Sequence, residues 1–379
     1  MIKTRRLTIA IGFTQTIAWA TTYYIPATMA GAAAAEFGAS RALMLGGFSL
    51  ALLVTGLISP WVGRRIDRLG GRGVMAMSTL ITAAGLTLMA TGHSIPLWYL
   101  AWMITGVGMA MGLYDAAFGT LGRLLGNEAR PAIVGVTLMA GFASTVGWPL
   151  GTYLVGHFGW REAVAAYAVI QLLIILPIVL IWVPPPGPAL PPPPPKSGDV
   201  LGAAPRAFTW MAAHFMLRQA ISSVISVHAL VLLAGMGFGT AESVAAAALI
   251  GPAQVGSRLI DWFFGRKLNP MVAALASSML LPASMLVLGA GLPAFVFTLI
   301  YGISNGIFTI NRGTLPLYVF GPSGYAAMVG RLAMPSMIAA SLAPTLIAPL
   351  ISAWPANWVL SLLAALGMVA LGCLLRLRR

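Results

Sequence analysis

The sequence predicts an all-α integral membrane protein with twelve transmembrane helices in two six-helix bundles. Of its 379 residues, 59% are hydrophobic and 8% are charged, whereas an ordinary soluble domain carries roughly 25% charged residues. Apolar runs long enough to cross a bilayer recur along the whole chain, and one proline-rich segment divides them into two equal groups. These observations exclude a water-soluble fold and leave no length for a second, soluble domain.

A helix needs about 20 apolar residues to cross a bilayer. We predict twelve spans, at residues 8–30, 42–61, 74–92, 97–121, 132–156, 162–183, 207–233, 241–264, 271–290, 293–316, 326–350 and 357–375. The first apolar run and the basic residues before it resemble a signal peptide. This run is longer than the apolar core of a typical signal peptide, and we therefore expect it to be a permanent first helix.

The segment from Pro184 to Arg206 is the predicted cytoplasmic linker between the bundles of residues 1–183 and 207–379. It contains the run Pro191 to Pro195, which favours an extended polyproline conformation over a helix. A segment of this kind can also be a ligand for a partner protein. Two helical halves joined by a tether are typical of transporters built from two repeats, which bind their substrate near the bilayer midplane.

The distribution of charge predicts the orientation of the chain. Its 22 Lys and Arg residues against 8 Asp and Glu give a net charge of +14, which in a soluble protein would suggest a nucleic-acid partner. In a membrane protein, Lys and Arg collect in cytoplasmic loops. With the N-terminus inside, sixteen basic residues fall on the inner side, whereas only Arg41 and Arg161 fall in outer loops. We therefore predict that both termini are cytoplasmic and that nucleic acid is not a partner.

The sequence predicts no cofactor, no metal site and no enzymatic activity. Cys373 is the single cysteine, so an internal disulfide is excluded, and no Cys/His cluster has metal-ligand spacing. No Gly-x-x-x-x-Gly-Lys-Ser/Thr motif for ATP phosphates occurs. The ionisable residues inside the spans form no hydrolytic group, so transport driven by ATP hydrolysis in this chain is not expected.

After the second span comes the sequence Gly63-Arg64-Arg65-Ile66-Asp67-Arg68-Leu69-Gly70-Gly71-Arg72. It resembles the loop motif of the major facilitator superfamily, at the position where that family has it. The resemblance implies gating roles for Gly63, Asp67, Arg68 and Arg72. Asp67 would favour the positive end of a helix starting near Tyr325 and would latch one conformation. The alternative is that the arginines only enforce topology.

Ionisable residues inside membrane spans are rare and mark a transport pathway or an internal pair. Gln254 and Arg258 are four residues apart, so they lie on one face of span eight. A guanidinium at this depth can bind a carboxylate through two parallel hydrogen bonds, which are strong where water is scarce. We therefore predict that Arg258 and Gln254 bind an organic anion.

Two other helical faces carry polar side chains. The first is in span seven and covers an arc of about 120°, with His214, Arg218, Ser222 and His228. The second is in span ten and covers about 80°, with Tyr301, Asn305, Thr309 and Arg312. We predict that Arg218, His228 and Asn305 bind substrate. Alternatively, such side chains form hydrogen bonds between helices, and this is our expectation for Ser222 and Thr309.

Several stretches resemble the monocarboxylate transporter branch of the superfamily and its bacterial relatives. They are Gly112-Leu113-Tyr114-Asp115-Ala116, Met139-Ala140-Gly141, Phe158-Gly159-Trp160-Arg161 and Arg258 in span eight. The resemblance implies that Arg258 binds a substrate carboxylate, and we add Tyr114 and Tyr24 to the predicted substrate-binding residues. That branch usually has an acid one turn before the arginine and a lysine in span one. Here Gln254 replaces the acid, and the stretch Tyr23-Tyr24-Ile25-Pro26-Ala27-Thr28 has no lysine.

Asp115 is the predicted proton carrier, because it is the only acid deep in the N-terminal half. An anion that occupies a nearby arginine favours protonation of a carboxyl group, which would couple one proton to one anion. Two alternatives are open. Asp115 is permanently paired with a basic residue and braces the bundle, or His228 carries the proton.

The sequence as a whole predicts a secondary active transporter of a small organic anion, a carboxylate, that works by alternating access and is coupled to protons. The alternative is an exporter of hydrophobic or cationic compounds. Two alternatives come from other functional classes: a membrane enzyme, and a receptor that binds its ligand without transporting it. The expected partners are the organic anion, protons and the lipid bilayer. We expect a monomer in a bacterial inner (plasma) membrane.

Overall fold

The computed structural model describes residues 2–185, 200–264 and 269–377, with side chains for 4–185, 205–264 and 269–377. The described residues are almost entirely helical and include no strand. The predicted all-α class is confirmed. Most of the proline-rich linker, residues 186–199, lies outside the described residues.

The chain divides into two compact units. The first is Met1–Pro192 with Gly321–Met334, and the second is Pro193–Phe320 with Pro335–Arg379. Helix α16 (Tyr325–Ala353) therefore begins in the first unit and continues in the second. The sequence-based boundary placed all of this helix in the C-terminal bundle.

The described helices that precede the linker are α1 (Ile2–Ala20), α2 (Ile25–Glu36), α3 (Arg41–Leu69), α4 (Gly71–Thr91), α5 (Ile95–Gly112), α6 (Tyr114–Leu125), α7 (Ala129–Ala140), α8 (Ala143–Phe158), α9 (Trp160–Ile170) and α10 (Leu176–Trp182). A 3-10 turn, Gly126–Glu128, precedes α7, and a π-helical segment, Gln171–Ile175, joins α9 to α10.

The described helices that follow the linker are α11 (Val200–Gly235), α12 (Thr240–Ala248), α13 (Ile250–Phe264), α14 (Pro270–Gly289), α15 (Ala294–Phe320), α16 (Tyr325–Ala353) and α17 (Ala356–Arg376). Helix α11 starts inside the predicted linker, because the prolines of the long run end at Pro195 and good helix formers such as leucine and alanine follow.

The predicted spans map onto these helices. Ten helical stretches of the described chain are long and apolar enough to cross a membrane. One of them, Ile95–Phe158, has 64 residues and contains the predicted fourth and fifth spans. The predicted first span is divided between α1 and α2. Counting the long stretch as two spans and adding the divided one gives the twelve predicted crossings.

Helix breaks concentrate in the first unit. Spans one, four and five are each divided into two helices, and span six contains the π-helical segment. In span one, Pro26 lacks an N–H and its ring crowds the carbonyl four residues earlier, so α1 ends at Ala20. The hydroxyls of Thr21 and Thr22 donate to the carbonyls of Ile17 and Ala18 at 2.8 and 2.6 Å.

Span four is built on glycines that allow close helix contact. Their carbonyl oxygens accept hydrogen bonds from neighbouring helices: Thr55 Oγ1 to Gly106 at 2.9 Å, Ser78 Oγ to Gly108 at 2.7 Å and Gln15 Nε2 to Gly112 at 2.6 Å. Polar side chains of this kind replace backbone bonds where a membrane helix is interrupted. Helix α5 ends at Gly112, and α6 begins at Tyr114.

The second unit has longer, continuous helices around an apolar core that includes Leu281, Met285, Phe297 and Leu360. Span eight, divided into α12 and α13 at Leu249, is the broken one among its described spans. Helix α16 stays continuous although it contains Pro335, Pro344 and Pro349. Pro344 cannot donate to the carbonyl of Ala340, and Ser223 Oγ of α11 donates to that oxygen at 2.6 Å instead.

Candidate functional site

The second unit contains an arginine site, which we define as Arg258, Gln254, Asn305 and Thr309. Arg258 lies on α13 and is 5% exposed. Its Nη2 lies 3.5 Å from Gln254 Oε1 and 3.3 Å from Thr309 Oγ1. Both distances are long for a hydrogen bond from a charged donor. Both of these acceptors are neutral oxygens.

Asn305 connects this site to α11. Its backbone carbonyl accepts a hydrogen bond from Thr309 Oγ1 at 2.9 Å, and its side-chain Oδ1 accepts one from Ser222 Oγ at 3.0 Å. The predicted residues Arg258, Gln254 and Asn305 are therefore brought together, with Thr309 between the guanidinium and Asn305. Ser222 and Thr309 make the interhelical contacts that the sequence suggested for them.

Arg218 does not lie at an open surface. It is 0% exposed, and its guanidinium donates to Ser277 O, Ser304 Oγ and Ser304 O at 3.1, 3.0 and 3.2 Å. Its Cζ lies 4.6 Å from the centroid of the Phe308 ring. These contacts enclose the guanidinium and pack α11 against α14 and α15. The role of Arg218 in substrate binding stays a prediction.

The two histidines of α11 bond to backbone carbonyls. His214 is 1% exposed, and its Nδ1 lies 2.8 Å from Ala370 O. His228 is half-buried, and its Nε2 lies 3.0 Å from Pro344 O. A carbonyl oxygen can only accept, so the nitrogen nearest to it carries the proton in each ring. The predicted substrate contact of His228 competes with this bond to α16.

The first unit contains a ring cluster, defined as Trp19, Tyr23, Tyr24, Phe48, Tyr114 and Trp148. Tyr23 is central, with ring centroids 4.8 Å from Trp19, 5.6 Å from Tyr24 and 5.1 Å from Phe48. Tyr114 lies 4.8 Å from Trp19, and Trp148 lies 5.9 Å from Tyr24. The predicted residues Tyr24 and Tyr114 belong to this cluster. Their rings are connected through Tyr23 and Trp19.

Asp115 follows Tyr114 in the first turn of α6. The break at Leu113 therefore places a carboxyl group at the start of a new helix inside span four. A helix start favours a negative side chain, and the sequence pattern did not indicate that Asp115 lies at one. The Asp115 side chain is half-buried.

A helix-start clasp joins Asp67 to the segment Gly321–Met334, and both belong to the first unit. Asp67 Oδ1 accepts from the backbone N–H of Ala326 at 3.2 Å, and Oδ2 accepts from Ala327 at 2.7 Å. Two unpaired N–H groups of the first turn of α16 are thereby satisfied. The predicted neighbour Tyr325 is the first residue of that helix.

Glycines permit the close approach at this clasp. A Cβ on Gly63 would collide with the carbonyl of Ala326, and one on Gly122 would collide with the ring of Tyr325. Gly119 faces Ala326 in the same way. The predicted gating residues Arg68 and Arg72 are exposed and half-buried, respectively. It is Arg123 that donates to the backbone carbonyl of Asp67.

At the predicted outer end of the first unit, Glu36 joins Trp160 and Arg161. Trp160 Nε1 donates to Glu36 Oε2 at 2.6 Å, and Arg161 Nη2 lies 2.8 Å from Oε1. Arg161 Nη1 also donates to Ala90 O at 2.6 Å. The hydrogen bond from Arg161 lowers the pKa of the Glu36 carboxyl below its ordinary value of 4.5. Glu36 lies beyond the predicted first span.

The sequence did not predict Arg123 at the clasp, nor the ring-cluster residues other than Tyr24 and Tyr114. Trp19, Phe48 and Trp148 are distant in sequence and look like ordinary membrane aromatics. The interruption of span one at Pro26 was the available signal, because a broken helix in a membrane indicates a lined cavity or a buried contact. Nothing in the sequence around Arg123 distinguishes it from a topology-setting arginine.

This fold and these motifs define a membrane transport protein. The chain belongs to the Major Facilitator Superfamily, whose model matches residues 9–314. The family fold has twelve helices in two bundles, so the predicted architecture and superfamily are confirmed. Members of this family are transporters and not enzymes. The monocarboxylate branch stays a prediction.

Similar proteins agree with the fold. A protein of Thermoproteus tenax, described as an uncharacterized 38 kDa protein in a 23S RNA operon, is 28% identical over 289 residues, which cover 76% of this chain and 72% of that protein. The crystal structure of the human organic anion transporter MFSD10 (TETRAN) has a TM-score of 0.78 at 16% identity and covers 98% of this chain and 99% of its own. The proton:xylose symporter XylE has a TM-score of 0.76 at 11% identity, with 98% and 95% coverage. At these identities the structures show the fold alone.

Proposed function

We propose that the protein is a secondary active transporter of a small organic anion, a carboxylate, and that it works by alternating access with proton coupling. The observation that carries the proposal is Arg258, a guanidinium that is 5% exposed in an apolar helix. Its contacts to Gln254 and Thr309 are 3.5 and 3.3 Å long and involve neutral oxygens. A carboxylate offers shorter, charge-assisted bonds to the planar donor group.

The hydrogen bonds next to Arg258 support the proposed function. Thr309 and Asn305 lie one turn apart on α15, and Ser222 Oγ binds Asn305 Oδ1 from α11. A site held by packed helices keeps its geometry when the ligand arrives. MFSD10, one of the structures with this fold, is described as an organic anion transporter, which agrees with the proposed substrate class.

Proton coupling is proposed for Asp115. It is half-buried and lies at a helix start inside span four. Ionisable residues inside membrane spans mark a transport pathway or an internal pair. His228 is the less favoured carrier, because its Nε2 binds Pro344 O.

The helix-start clasp is proposed to control cycling. Asp67 binds two backbone N–H groups of α16 at 3.2 and 2.7 Å, and it is remote in sequence from the arginine site. Alternating access requires such contacts to form in one conformation and open in another. The clasp would therefore set the rate of exchange without contacting the substrate.

The second candidate function is export of hydrophobic or cationic compounds. The ring cluster favours it, because aromatic faces attract cations and Asp115 follows the cluster residue Tyr114 directly. An exporter of this kind would bind organic amines and would not need Arg258.

The test is uptake of radiolabelled carboxylates into liposomes that contain the purified wild type, Arg258→Ala or Arg258→Lys. A hydrogen bond to a charged group contributes about 1.5 to 3 kcal/mol, so Arg258→Ala should weaken carboxylate binding by roughly 10- to 150-fold. Arg258→Lys should also be impaired, because an ammonium cannot form the two-pronged contact. Near-normal carboxylate uptake by folded Arg258→Ala would place the exporter function first.

A further inference from the structure

We propose that the protein binds the headgroup phosphate of an anionic phospholipid at a surface of the second unit. We call it the α11–α17 surface and define it as Arg206, Trp210 and Arg376. Arg206 and Trp210 lie in the first three turns of α11, and Arg376 is the last residue of α17. The surface shares no residue with the arginine site, so the proposal does not depend on which substrate the protein transports.

Helices α11 and α17 pack against each other at this surface. His214 Nδ1 of α11 lies 2.8 Å from Ala370 O of α17. Four residues earlier on α11, the centroid of the Trp210 ring lies 6.0 Å from Cζ of Arg376. Arg206 precedes Trp210 by one helical turn, so the two lie on one face of α11. The contact between the helices therefore places two positive groups, one from each helix, beside the same indole ring.

Both arginines of the surface are accessible and lack a counter-charge. Arg206 and Arg376 are exposed, and neither forms a hydrogen bond or an ion pair with any residue that the structure describes. Like charges on neighbouring helices repel each other. An anion that contacts both guanidinium groups would replace this repulsion with attraction. The surface therefore favours an anion from outside the chain.

A similar pair in the first unit shows what the α11–α17 surface lacks. Arg161 Cζ lies 4.5 Å from the centroid of the Trp160 ring, and Arg161 Nη2 lies 2.8 Å from Glu36 Oε1. Trp160 Nε1 donates to the same carboxylate at 2.6 Å. An arginine and a tryptophan in contact thus bind one anionic group together. No acid among the described residues does this for Arg376 and Trp210.

The surface lies at the end of an exposed apolar stripe. Met368, Gly372 and Leu375 of α17 are exposed and recur at helical spacing. On a membrane-spanning helix such a stripe contacts acyl chains, and tryptophan is enriched where the chains meet the headgroups. Arg376 ends the stripe, and Trp210 beside it is 38% exposed. An arginine at a helix end extends its charged group to the level of the lipid phosphates.

The charge of the surface determines which phospholipid it favours. A guanidinium binds phosphate oxygens through two parallel hydrogen bonds, and clusters of basic residues next to a span attract anionic lipids. A zwitterionic lipid brings its own positive group close to its phosphate, so two arginines gain less from it. The preferred occupant is therefore an anionic phospholipid whose chains lie along α17.

The experiment compares phosphatidylglycerol and phosphatidylcholine that carry the same fluorescent acyl chain. Equilibrium binding to the purified full-length protein in detergent is measured for the wild type, Arg206→Gln, Arg376→Gln, their double variant and Trp210→Leu. Arg41→Gln is the matched arginine control, because Arg41 is exposed in the first unit. Trp358→Leu is the matched tryptophan control, because Trp358 is 63% exposed near the opposite end of α17. Gel filtration verifies that each variant is folded.

The wild type should bind phosphatidylglycerol more tightly than phosphatidylcholine. One arginine near an anionic lipid contributes roughly fivefold in affinity, so each glutamine variant should weaken phosphatidylglycerol binding by about that factor. The double variant should weaken it roughly 25-fold and bind the two lipids almost equally. Trp210→Leu, which removes the ring beside Arg376, should weaken binding roughly 2- to 5-fold. Arg41→Gln and Trp358→Leu should bind like the wild type.

Equal affinity of the wild type for the two lipids would overturn the proposal, and so would unchanged phosphatidylglycerol binding in the double variant. A loss in Arg41→Gln as large as that in Arg376→Gln would also overturn it, because net charge alone would then explain the binding. Inorganic phosphate in large excess, at constant ionic strength, separates a lipid site from a site for a free anion. Phosphatidylglycerol that stays bound supports the lipid site, and complete displacement by phosphate overturns it.

Discussion

The two units differ in where their helices are broken and in the side chains that they bury. In the first unit, Gln15, Thr55 and Ser78 bind backbone carbonyls of the broken span four, and Tyr23 and Tyr24 beside the break of span one are half-buried. In the second unit, the long helices α11, α15 and α16 are continuous. The buried guanidinium of Arg218 lies on α11, and that of Arg258 lies on α13, which follows the break of span eight at Leu249. The half-buried rings of the ring cluster thus lie in the first unit, and these two buried guanidinium groups lie in the second.

This difference follows from the stability of buried charge. A guanidinium inside a membrane protein needs several fixed acceptors, and packed helices hold such acceptors in place. Aromatic side chains are stabilised by apolar contact area, so their packing tolerates shifts of the neighbouring backbone. We therefore expect the second unit to hold the charged group of the substrate, and the first unit to deform during transport.

The largest expected effect is a difference in stability between variants of Arg218 and Arg258, the two buried arginines described above. Arg218→Ala removes hydrogen bonds to Ser277 and Ser304, and each bond to a charged group contributes about 1.5 to 3 kcal/mol. We expect the free energy of unfolding to fall by about 3 kcal/mol or more. Arg258→Ala should lower the melting temperature far less. Thermal unfolding of both variants in one detergent is the measurement, and equal losses would contradict the separation.

Asp115→Asn tests whether the first unit carries the proton. An amide cannot exchange a proton at neutral pH, so stimulation of uptake by an inward proton gradient should disappear. Counterflow exchange, which needs no net proton movement, should persist. Both are measured in liposomes with and without the gradient. Full gradient dependence in the variant would move the proton carrier to His228 or to Asp261, a buried acid of α13.

Asp67→Asn tests the clasp that contains the start of α16. The amide oxygen can accept from one of the two N–H groups, whereas its NH₂ group faces the other, so the bond to Ala326 or Ala327 is lost. Transport at saturating substrate should slow several-fold, and substrate affinity should change by no more than a few-fold. Arg64→Gln is the control, because Arg64 is exposed on the same helix and is not among the predicted gating residues. Equal rates in Asp67→Asn and wild type would remove the clasp from the cycle.

The smallest expected effect is at the outer end of the first unit. The pKa of Glu36 is lowered by Arg161, so this pair stabilises the fold above pH 4.5 and loses its contribution as the pH falls through the lowered pKa. Because the Glu36 side chain is 43% exposed, the effect should stay within about 1 kcal/mol. Glu36→Gln should show a smaller loss of melting temperature on acidification than the wild type. An identical loss would show that other carboxyl groups determine acid stability.

The fold was predictable because composition and span length determine it. Apolar runs of about 20 residues have few alternatives in a membrane, and Gly63 to Arg72 indicated the superfamily. The positions at which spans are divided into two helices were harder to predict. Pro26 indicated a break in span one, but Pro335, Pro344 and Pro349 did not break α16. Whether a proline breaks a helix depends on neighbours such as Ser223, which the sequence does not place.

The candidate site was predictable only where residues lie on one helix. Gln254 and Arg258 are one turn apart, so their proximity followed from helical geometry. The depth of Arg218 did not follow, because its enclosure depends on Ser277 and Ser304 of other helices. The link from Thr309 to Arg258, and the ring cluster around Tyr23, likewise depend on tertiary packing.

The most direct test of the central claim pairs the charge of the ligand with the charge of Arg258. Equilibrium binding is measured for a carboxylate and for its neutral amide, on the wild type and on folded Arg258→Ala. If Arg258 binds the carboxylate, the wild type prefers the acid by roughly 10- to 150-fold, and the variant binds acid and amide almost equally. A preference for the acid that survives in Arg258→Ala would contradict the claim.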